Sequence, residues 1–210
     1  MEPCPMTSLI RTVEELRRLY EQPEEPAVRK CIAKLDEHCR RFIAAAPFVV
    51  IATFDGKGAA DASPRGDPPG FVRVLDDTHL LLPDRPGNNR LDSLENILAC
   101  PHVGLLFVIP GIRETLRING SAALTADPAL LSPLAVNGKA PKAGILVTVR
   151  EAYLHCAKAL IRSALWKPET WPDKSVIASP GRIWADHVQM GFDADVLDAY
   201  IAAEIDKTLY

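Results

Sequence analysis

Short β-rich segments separated by turn signals dominate the middle of the chain. The clearest example, Phe48–Thr53, runs directly into Asp55-Gly56-Lys57-Gly58, a typical hairpin turn. Strands this short, joined mostly by hairpins, exclude a doubly wound parallel sheet, whereas closure into a barrel removes exposed strand edges. The sequence therefore predicts a mainly β fold with flanking α-helices, in which antiparallel strands form a barrel. The predicted strands are Phe48–Thr53, Ala59–Arg65, Phe71–Leu75, His79–Leu82, Val103–Val108, Leu116–Leu124 and Ile145–Tyr153.

Segments with helical periodicity lie on both sides of these strands and between two of them. Helices are predicted at Val13–Tyr20, at Ala27–Ala46, at Asp92–Cys100 with Asp92 as its cap, after Asp127-Pro128, and at Asp193–Leu209. Trp166–Trp184 is predicted to be a long loop. We expect a single domain, 1–210, with a helical N-terminal region (1–46), a barrel core (47–155) and a helical and loop C-terminal region (156–210).

Charge and cysteine content limit the classes of partner. The 24 basic and 27 acidic residues among 210 give no indication of nucleic-acid or membrane-surface binding. No apolar run approaches the roughly 20 residues of a membrane helix, and the first residues lack the features of a signal peptide. Five scattered cysteines without a CxxC motif favour reduced, buried thiols. The expected location is the cytoplasm.

Two runs carry residues suited to holding an anion. Leu81–Arg90 contains two arginines, two asparagines and a glycine between a strand and a predicted helix, and Asp61–Gly66 offers a second arginine-containing run. Asparagine and glycine tolerate the left-handed backbone that turns successive N–H groups toward one point. Arginine adds a planar guanidinium group that can donate two hydrogen bonds to a phosphate. The alternative for Arg85 and Arg90 is a solvated loop that caps the helix.

This order of elements and its arginine turn resemble the FMN-binding split-barrel family related to pyridoxamine 5′-phosphate oxidase. The C-terminal pattern His155-Cys156-Ala157-Lys158-Ala159, followed by Arg162-Ser163 and Leu165-Trp166, is similar to that of an uncharacterised subgroup. The resemblance implies a split β-barrel and a homodimer with FMN at the subunit interface.

The resemblance also implies roles for individual residues. Arg90 would contact the FMN phosphate, Asn88 and Asn89 would assist it, and Arg65 would approach the phosphate or the ribityl chain, with Arg65 or Arg85 as the second cation. Backbone groups of Ser63, Pro64, Arg65 and Gly66 and of Pro83, Asp84 and Arg85 would line the flavin edge. Arg117 and Asn119 share one strand face and would reach the flavin of the other subunit; an ordinary exposed strand face is the alternative.

Three C-terminal residues are candidates for substrate binding. Lys158 and Arg162 lie four positions apart in a predicted helix, where two like charges favour an anionic partner, although a solvated face fits equally well. Trp166, like Trp171, would either stack on a flavin ring or pack the barrel mouth.

No catalytic residue is assigned, and the histidines show no metal-ligand spacing. HExxH, GxSxG, Walker and GxGxxG motifs are absent, which disfavours zinc and serine hydrolases, NTPases and Rossmann enzymes. The Arg-rich substrate signature of vitamin oxidases has only a faint counterpart at Arg182–His187, which disfavours pyridoxamine phosphate oxidation. The leading hypothesis is an FMN-dependent oxidoreductase acting on an unidentified small molecule, with NAD(P)H as a candidate electron donor or a small amine as a candidate substrate. The alternatives are a flavin store or sensor without turnover, and a barrel that binds haem or a deazaflavin.

Overall fold

The computed structural model of the chain describes residues 9–189 and 191–210. The chain divides into two compact units, 1–31 and 32–210. The first contains two short helices, α1 (Val13–Arg17) and α2 (Glu25–Arg29). Helix α1 begins with a capping box, because the Thr12 hydroxyl accepts the Glu15 N–H while the Glu15 carboxylate accepts the Thr12 N–H. The expectation of one domain over 1–210 stays a prediction.

The second unit is built on a seven-stranded antiparallel sheet with the topology of a split β-barrel. Its strands are β1 (Phe48–Phe54), β2 (Ala60–Gly66), β3 (Arg73–Val74), β4 (His79–Pro83), β5 (His102–Val108), β6 (Thr115–Thr125) and β7 (Gly144–His155), in the order β2-β1-β5-β6-β7-β4-β3. All seven predicted strands are confirmed. Strand β2 lies at one end of this order, and the β3–β4 pair lies at the other.

Alternation along the strands places the hydrophobic core inside the barrel. On β1, Val49 and Ile51 are buried while their sequence neighbours are less so, as the two-residue period of a strand requires. Phe107 on β5 and Ile118 on β6 belong to the same buried cluster. This continuous core fixes which face of each strand remains available at the surface.

The described helices of the second unit are α3 (Glu37–Ala45), α4 (Asp92–Ala99), α5 (Pro128–Leu131), α6 (Lys158–Arg162), α7 (Pro180–Val188) and α8 (Ala194–Thr208). Helices α3 and α4 contact strands of the sheet, and α7 and α8 contact each other. Helix α4 confirms the short helix predicted after β4, but Leu91 rather than Asp92 is its cap residue. Within the described residues, none of the helices has both the length and the apolar run needed to cross a membrane.

The predicted continuous helix Ala27–Ala46 is wrong, because it is interrupted after α2. Ile32 leaves the helical path and exchanges two backbone hydrogen bonds with Ala152 on β7, at 3.0 and 2.7 Å. Asp36 then starts α3 by accepting the Cys39 N–H at 2.8 Å. The side chains of Cys39 and Ile43 enter the core from this new helix.

The loop predicted at Trp166–Trp184 is also partly wrong, since α7 begins at Pro180. The Ser179 side chain accepts the Arg182 N–H, so proline and glycine here occupy the first turn of a capped helix. Four cysteines are described and all are free thiols, but only Cys39 is buried, whereas Cys31 and Cys156 are exposed. The expectation that the thiols are buried therefore fails for those two, and Cys4 lies outside the described residues.

Candidate functional site

A cavity of about 820 Å³ opens on the side of the barrel where β2 approaches the turn after β4. The start of α4, the loop 136–142 and the last residues of the chain complete its walls. Small-molecule and cofactor sites occupy roughly 300–1,000 Å³, so this cavity has the size of a cofactor site.

The structure brings together the residues predicted on the two arginine-containing runs. Each of them lines this cavity: Ser63, Pro64, Arg65, Gly66, Pro83, Asp84, Arg85, Asn88, Asn89 and Arg90. The two runs are far apart in sequence and on opposite ends of the strand order, so only barrel formation makes them neighbours.

The turn after β4 has the left-handed conformations that its composition suggested, although not at the glycine. Asn89 and Leu91 both have φ of 60°. The Asn88 side-chain oxygen accepts the Arg90 N–H at 3.1 Å, and the Leu91 carbonyl accepts the N–H groups of Leu94 and Glu95. This geometry reverses the chain and places the first turn of α4 at the cavity.

Arg90 lies at the exposed rim of the cavity and is paired with a carboxylate. Its Nε donates to Asp92 Oδ2 at 2.9 Å, and both side chains are more than half exposed. This hydrogen bond and the charge of Asp92 raise the pKa of Arg90 above its usual value. The guanidinium remains cationic, and its solvent exposure leaves space for a second anionic partner.

Arg65 lies deeper, on the half-buried face of β2. Its Nη1 donates to the Ser63 hydroxyl and to the Pro64 carbonyl oxygen, the latter at 2.9 Å. Asp84 lies near enough that Arg65 and Lys142 both act to lower its pKa, but the larger effect is burial, which raises it. Burial in the wall of the cavity therefore disfavours the ionised form of this carboxyl group.

Arg85 has a different environment from the other two arginines. Its Nε donates to Asp67 Oδ2 at 2.6 Å and its Nη1 donates to the Leu134 carbonyl oxygen at 2.8 Å. The side chain of Asp67 is only 2% exposed and that of Arg85 is 17% exposed. This ion pair joins the turn after β4 to the end of β2, so Arg65 is better placed than Arg85 to act as the second cation.

The cavity residues that the sequence analysis missed include four with polar side chains: Lys139, Lys142, Thr208 and Tyr210. A signal for the two lysines was present, since Asn137-Gly138 is a hairpin-turn pair and both residues have positive φ. The lining contains more cationic than carboxylate side chains: Arg65, Arg85, Arg90, Lys139 and Lys142 against Asp61, Asp84 and Asp92. Its charge suits an anion.

The other predicted site residues lie elsewhere in the described chain. Arg117 Nη1 donates to the Tyr153 hydroxyl at 3.0 Å, and Asn119 Nδ2 donates to Glu151 Oε1 at 2.6 Å. Asn119 lines a second, shallower cavity of about 510 Å³ with Arg150 and Glu151. These contacts place both residues on the outer barrel face and away from the larger cavity.

The three substrate candidates are also separate from the larger cavity. Lys158 and Arg162 are exposed on α6. Trp166 Nε1 donates to the Ile112 carbonyl oxygen at 2.7 Å, which fixes this indole against the loop between β5 and β6. Within one described chain, none of these three side chains lines the cavity of the arginine turn.

Comparison with known proteins identifies the family. The family model described as pyridoxamine 5′-phosphate oxidase matches residues 35–156, more than half of the chain. The chain belongs to the pyridoxamine 5′-phosphate oxidase family. The matched span contains all seven strands of the sheet, and it ends before α6, α7 and α8.

Solved structures similar to this family member include three of bacterial origin. HupZ from group A Streptococcus is 18% identical, covers 57% of this chain and 92% of its own, and has a TM-score of 0.47. A putative pyridoxamine 5′-phosphate oxidase from Lactobacillus delbrueckii is 21% identical, with coverages of 58% and 95% and a TM-score of 0.47. An FMN-binding protein from Syntrophomonas wolfei is 11% identical, with coverages of 56% and 83% and a TM-score of 0.46. A comparison with curated protein sequences found no match.

Proposed function

We propose that this chain is an FMN-dependent oxidoreductase that acts on a small molecule as a homodimer. The observation that carries the proposal is the cavity of about 820 Å³, in which the β2 and β4 arginine runs meet the first turn of α4. Membership of the pyridoxamine 5′-phosphate oxidase family supports a flavin as the occupant.

The donors at one end of the cavity fit a phosphate group. Arg90 at the rim and Arg65 deeper in the wall supply two cations, and Asn88 supplies an amide. Asp92 and Ser93 begin α4, where free backbone N–H groups and the helix dipole favour an anion. A phosphate in this position would face a lining that carries more cationic than carboxylate side chains.

The remaining walls fit the rest of the cofactor. Main-chain groups of Ser63–Gly66 and Pro83–Arg85 present donors and acceptors along two sides of the cavity. When bound, the flavin supplies the redox chemistry, while the protein orients it and controls access. The Asp67–Arg85 ion pair holds these two sides in fixed positions relative to each other.

A second copy of the chain completes this site in the proposal. Arg117 and Asn119 project from the outer face of β6, and twofold symmetry would bring them to the partner's cavity. Lys158, Arg162 and Trp166 lie outside the cavity of their own chain and are proposed to act on substrate held between subunits. The electron donor we propose is NAD(P)H, with a small amine as the alternative substrate.

The absorption spectrum of the purified protein tests the cofactor. We expect flavin bands that are released as FMN on denaturation, and loss of those bands on anaerobic addition of NADH or NADPH. Flavin that neither nicotinamide nor small amines reduce would instead support a store or sensor. A haem or deazaflavin spectrum, or failure to bind added FMN, would overturn the cofactor assignment.

A further inference from the structure

The C-terminal residues contribute a wall to the cavity. Thr208 ends α8, and both Thr208 and Tyr210 line the cavity. These residues lie outside the span that matches the pyridoxamine 5′-phosphate oxidase family. The C-terminal region of this chain therefore contributes to the cavity from outside the matched span.

A buried carboxylate holds this segment in place. The Tyr210 hydroxyl donates to Asp67 Oδ1 at 2.7 Å, while Arg85 Nε donates to the other oxygen, Oδ2. The Asp67 side chain is 2% exposed, so both of its oxygens are used by partners that line the cavity. Buried charged acceptors that are fully hydrogen-bonded hold their donors in well-defined positions.

A second contact joins Tyr210 to the loop 136–142. Lys139 Nζ donates to the Tyr210 main-chain oxygen at 3.2 Å. The hydrogen bond from its hydroxyl to Asp67 raises the pKa of Tyr210 above its usual value. The segment is thus tied both to the β2 end and to the loop 136–142.

We propose that residues 208–210 form a strap, anchored by Asp67 and Lys139, that closes one side of the cavity and slows the escape of the bound ligand. Tyr210 is the positioning residue of this strap. The inference rests on the proposed function in that FMN is the ligand whose escape is followed. Opening the strap exposes the cavity without moving the phosphate donors Arg65 and Arg90, so it raises the rate at which the ligand dissociates.

The first experiment compares FMN dissociation from the wild type and Tyr210→Phe, followed by stopped-flow fluorescence. The variant keeps the ring but loses the hydroxyl contact with Asp67, so we expect dissociation about three- to tenfold faster with association nearly unchanged. Tyr200→Phe, on the exposed surface of α8, is the matched control and should behave as the wild type. Equal dissociation rates for all three proteins would overturn the proposal.

The second experiment needs no ligand. Hydrogen exchange of the C-terminal peptide should be faster in ligand-free Tyr210→Phe and Lys139→Ala than in the wild type, while β1 and β5 keep their protection. Unchanged exchange of that peptide would overturn the strap even if FMN binds. Failure of the wild type to bind FMN, with faster exchange in both variants, would instead reject FMN as the ligand and leave the strap supported.

Discussion

Arg85 and Arg90 belong to the same short turn, yet their guanidinium groups have opposite surroundings. Arg85 is 17% exposed and paired with a carboxylate that is almost completely buried, whereas Arg90 is 73% exposed and paired with an exposed one. Removing one partner of a buried ion pair strongly destabilises the folded protein, whereas an exposed ion pair contributes only about 0–1 kcal/mol to the free energy of unfolding. The two residues should therefore respond differently to the same substitution.

Substitution of Arg90 tests the phosphate end of the cavity. Arg90→Ala should weaken FMN binding by roughly ten- to a hundredfold, because hydrogen bonds to charged groups contribute about 1.5–3 kcal/mol. Arg90→Lys should recover part of the lost FMN affinity, since lysine restores the charge but not the two-point hydrogen bonding of the guanidinium. Fluorescence titration is the measurement, with riboflavin as the control ligand because it lacks the phosphate. Unchanged FMN affinity in Arg90→Ala would show that this arginine is an ordinary surface residue.

Substitution of Arg85 should affect folding more than ligand binding. Arg85→Ala leaves the Asp67 carboxylate buried without its cation and should lower the free energy of unfolding by about 3–5 kcal/mol. Arg90→Ala is the matched comparison and should change it by no more than about 1 kcal/mol. Urea unfolding measures both, and similar stabilities for the two variants would contradict the assignment of Arg85 to a structural ion pair.

Asp84 gives a pH-dependent prediction. Burial raises the pKa of Asp84, so folding favours the protonated carboxyl group. The contribution of this preference to stability is present below the unfolded pKa of about 3.9, and it is lost as pH rises through the folded pKa. Asp84→Asn removes the buried charge and should raise the melting temperature at pH 7, with the difference disappearing near pH 3. Asp206→Asn, on the exposed surface of α8, is the control. A lower melting temperature for Asp84→Asn at pH 7 would refute the argument.

Among the secondary-structure elements, the β6–β7 pair depends on a glycine at its register shift. A Cβ at Gly120 would overlap the carbonyl oxygen of Thr148 and lie 3.0 Å from its carbonyl carbon, and neither backbone atom can move independently. Gly120→Ala should therefore destabilise the protein by about 1–3 kcal/mol in urea unfolding. Gly87→Ala is the control, because no described atom lies within 4 Å of its Cβ position. Equal stabilities would mean that the two strands separate at little cost.

Strands were predictable from the sequence, whereas helix boundaries were less so. Alternation and hairpin turns are local signals, and all seven strands followed from them. The break at Ile32 depends instead on pairing with Ala152, which no local pattern reveals. The Pro180-Gly181 start of α7 resembled a loop because glycine is usually unfavourable in helices. Here the α8 backbone lies where a Cβ of residue 181 would project, so close packing requires glycine.

At the scale of the whole molecule, we predict a homodimer. Light scattering should give twice the mass of one chain with FMN bound, and Arg117→Glu should weaken both dimerisation and FMN binding because this side chain is proposed to contact the partner's site. Arg113→Glu, at an exposed loop position before β6, is the control. A monomer that binds FMN with full affinity would contradict the prediction.

The candidate site was predictable only where neighbouring residues in sequence carried the signal. The arginine turn and the β2 run were found because each concentrates suitable residues in a few positions. The role of Arg85 could not be predicted from the sequence, because it depends on the burial of Asp67 beside it. Lys139 and Tyr210 meet at the cavity only after the described chain between them has folded into a strand, three α-helices and two short 3₁₀ helices.

The position of the arginine turn in the strand order also sets when the site forms. Strands β1 and β2 are consecutive and pair as a hairpin, so we expect them to pair early in synthesis, with β5, β6 and β7 following as consecutive neighbours. Strand β4 cannot pair with β7 until β7 has been synthesised, because His79–Pro83 pairs with Gly144–Thr148. Pairings distant in sequence are slow to form, so we expect the emerging chain to hold its two arginine-containing runs apart until the last strand is made. A cofactor added to nascent chains that end before β7 should find no complete pocket.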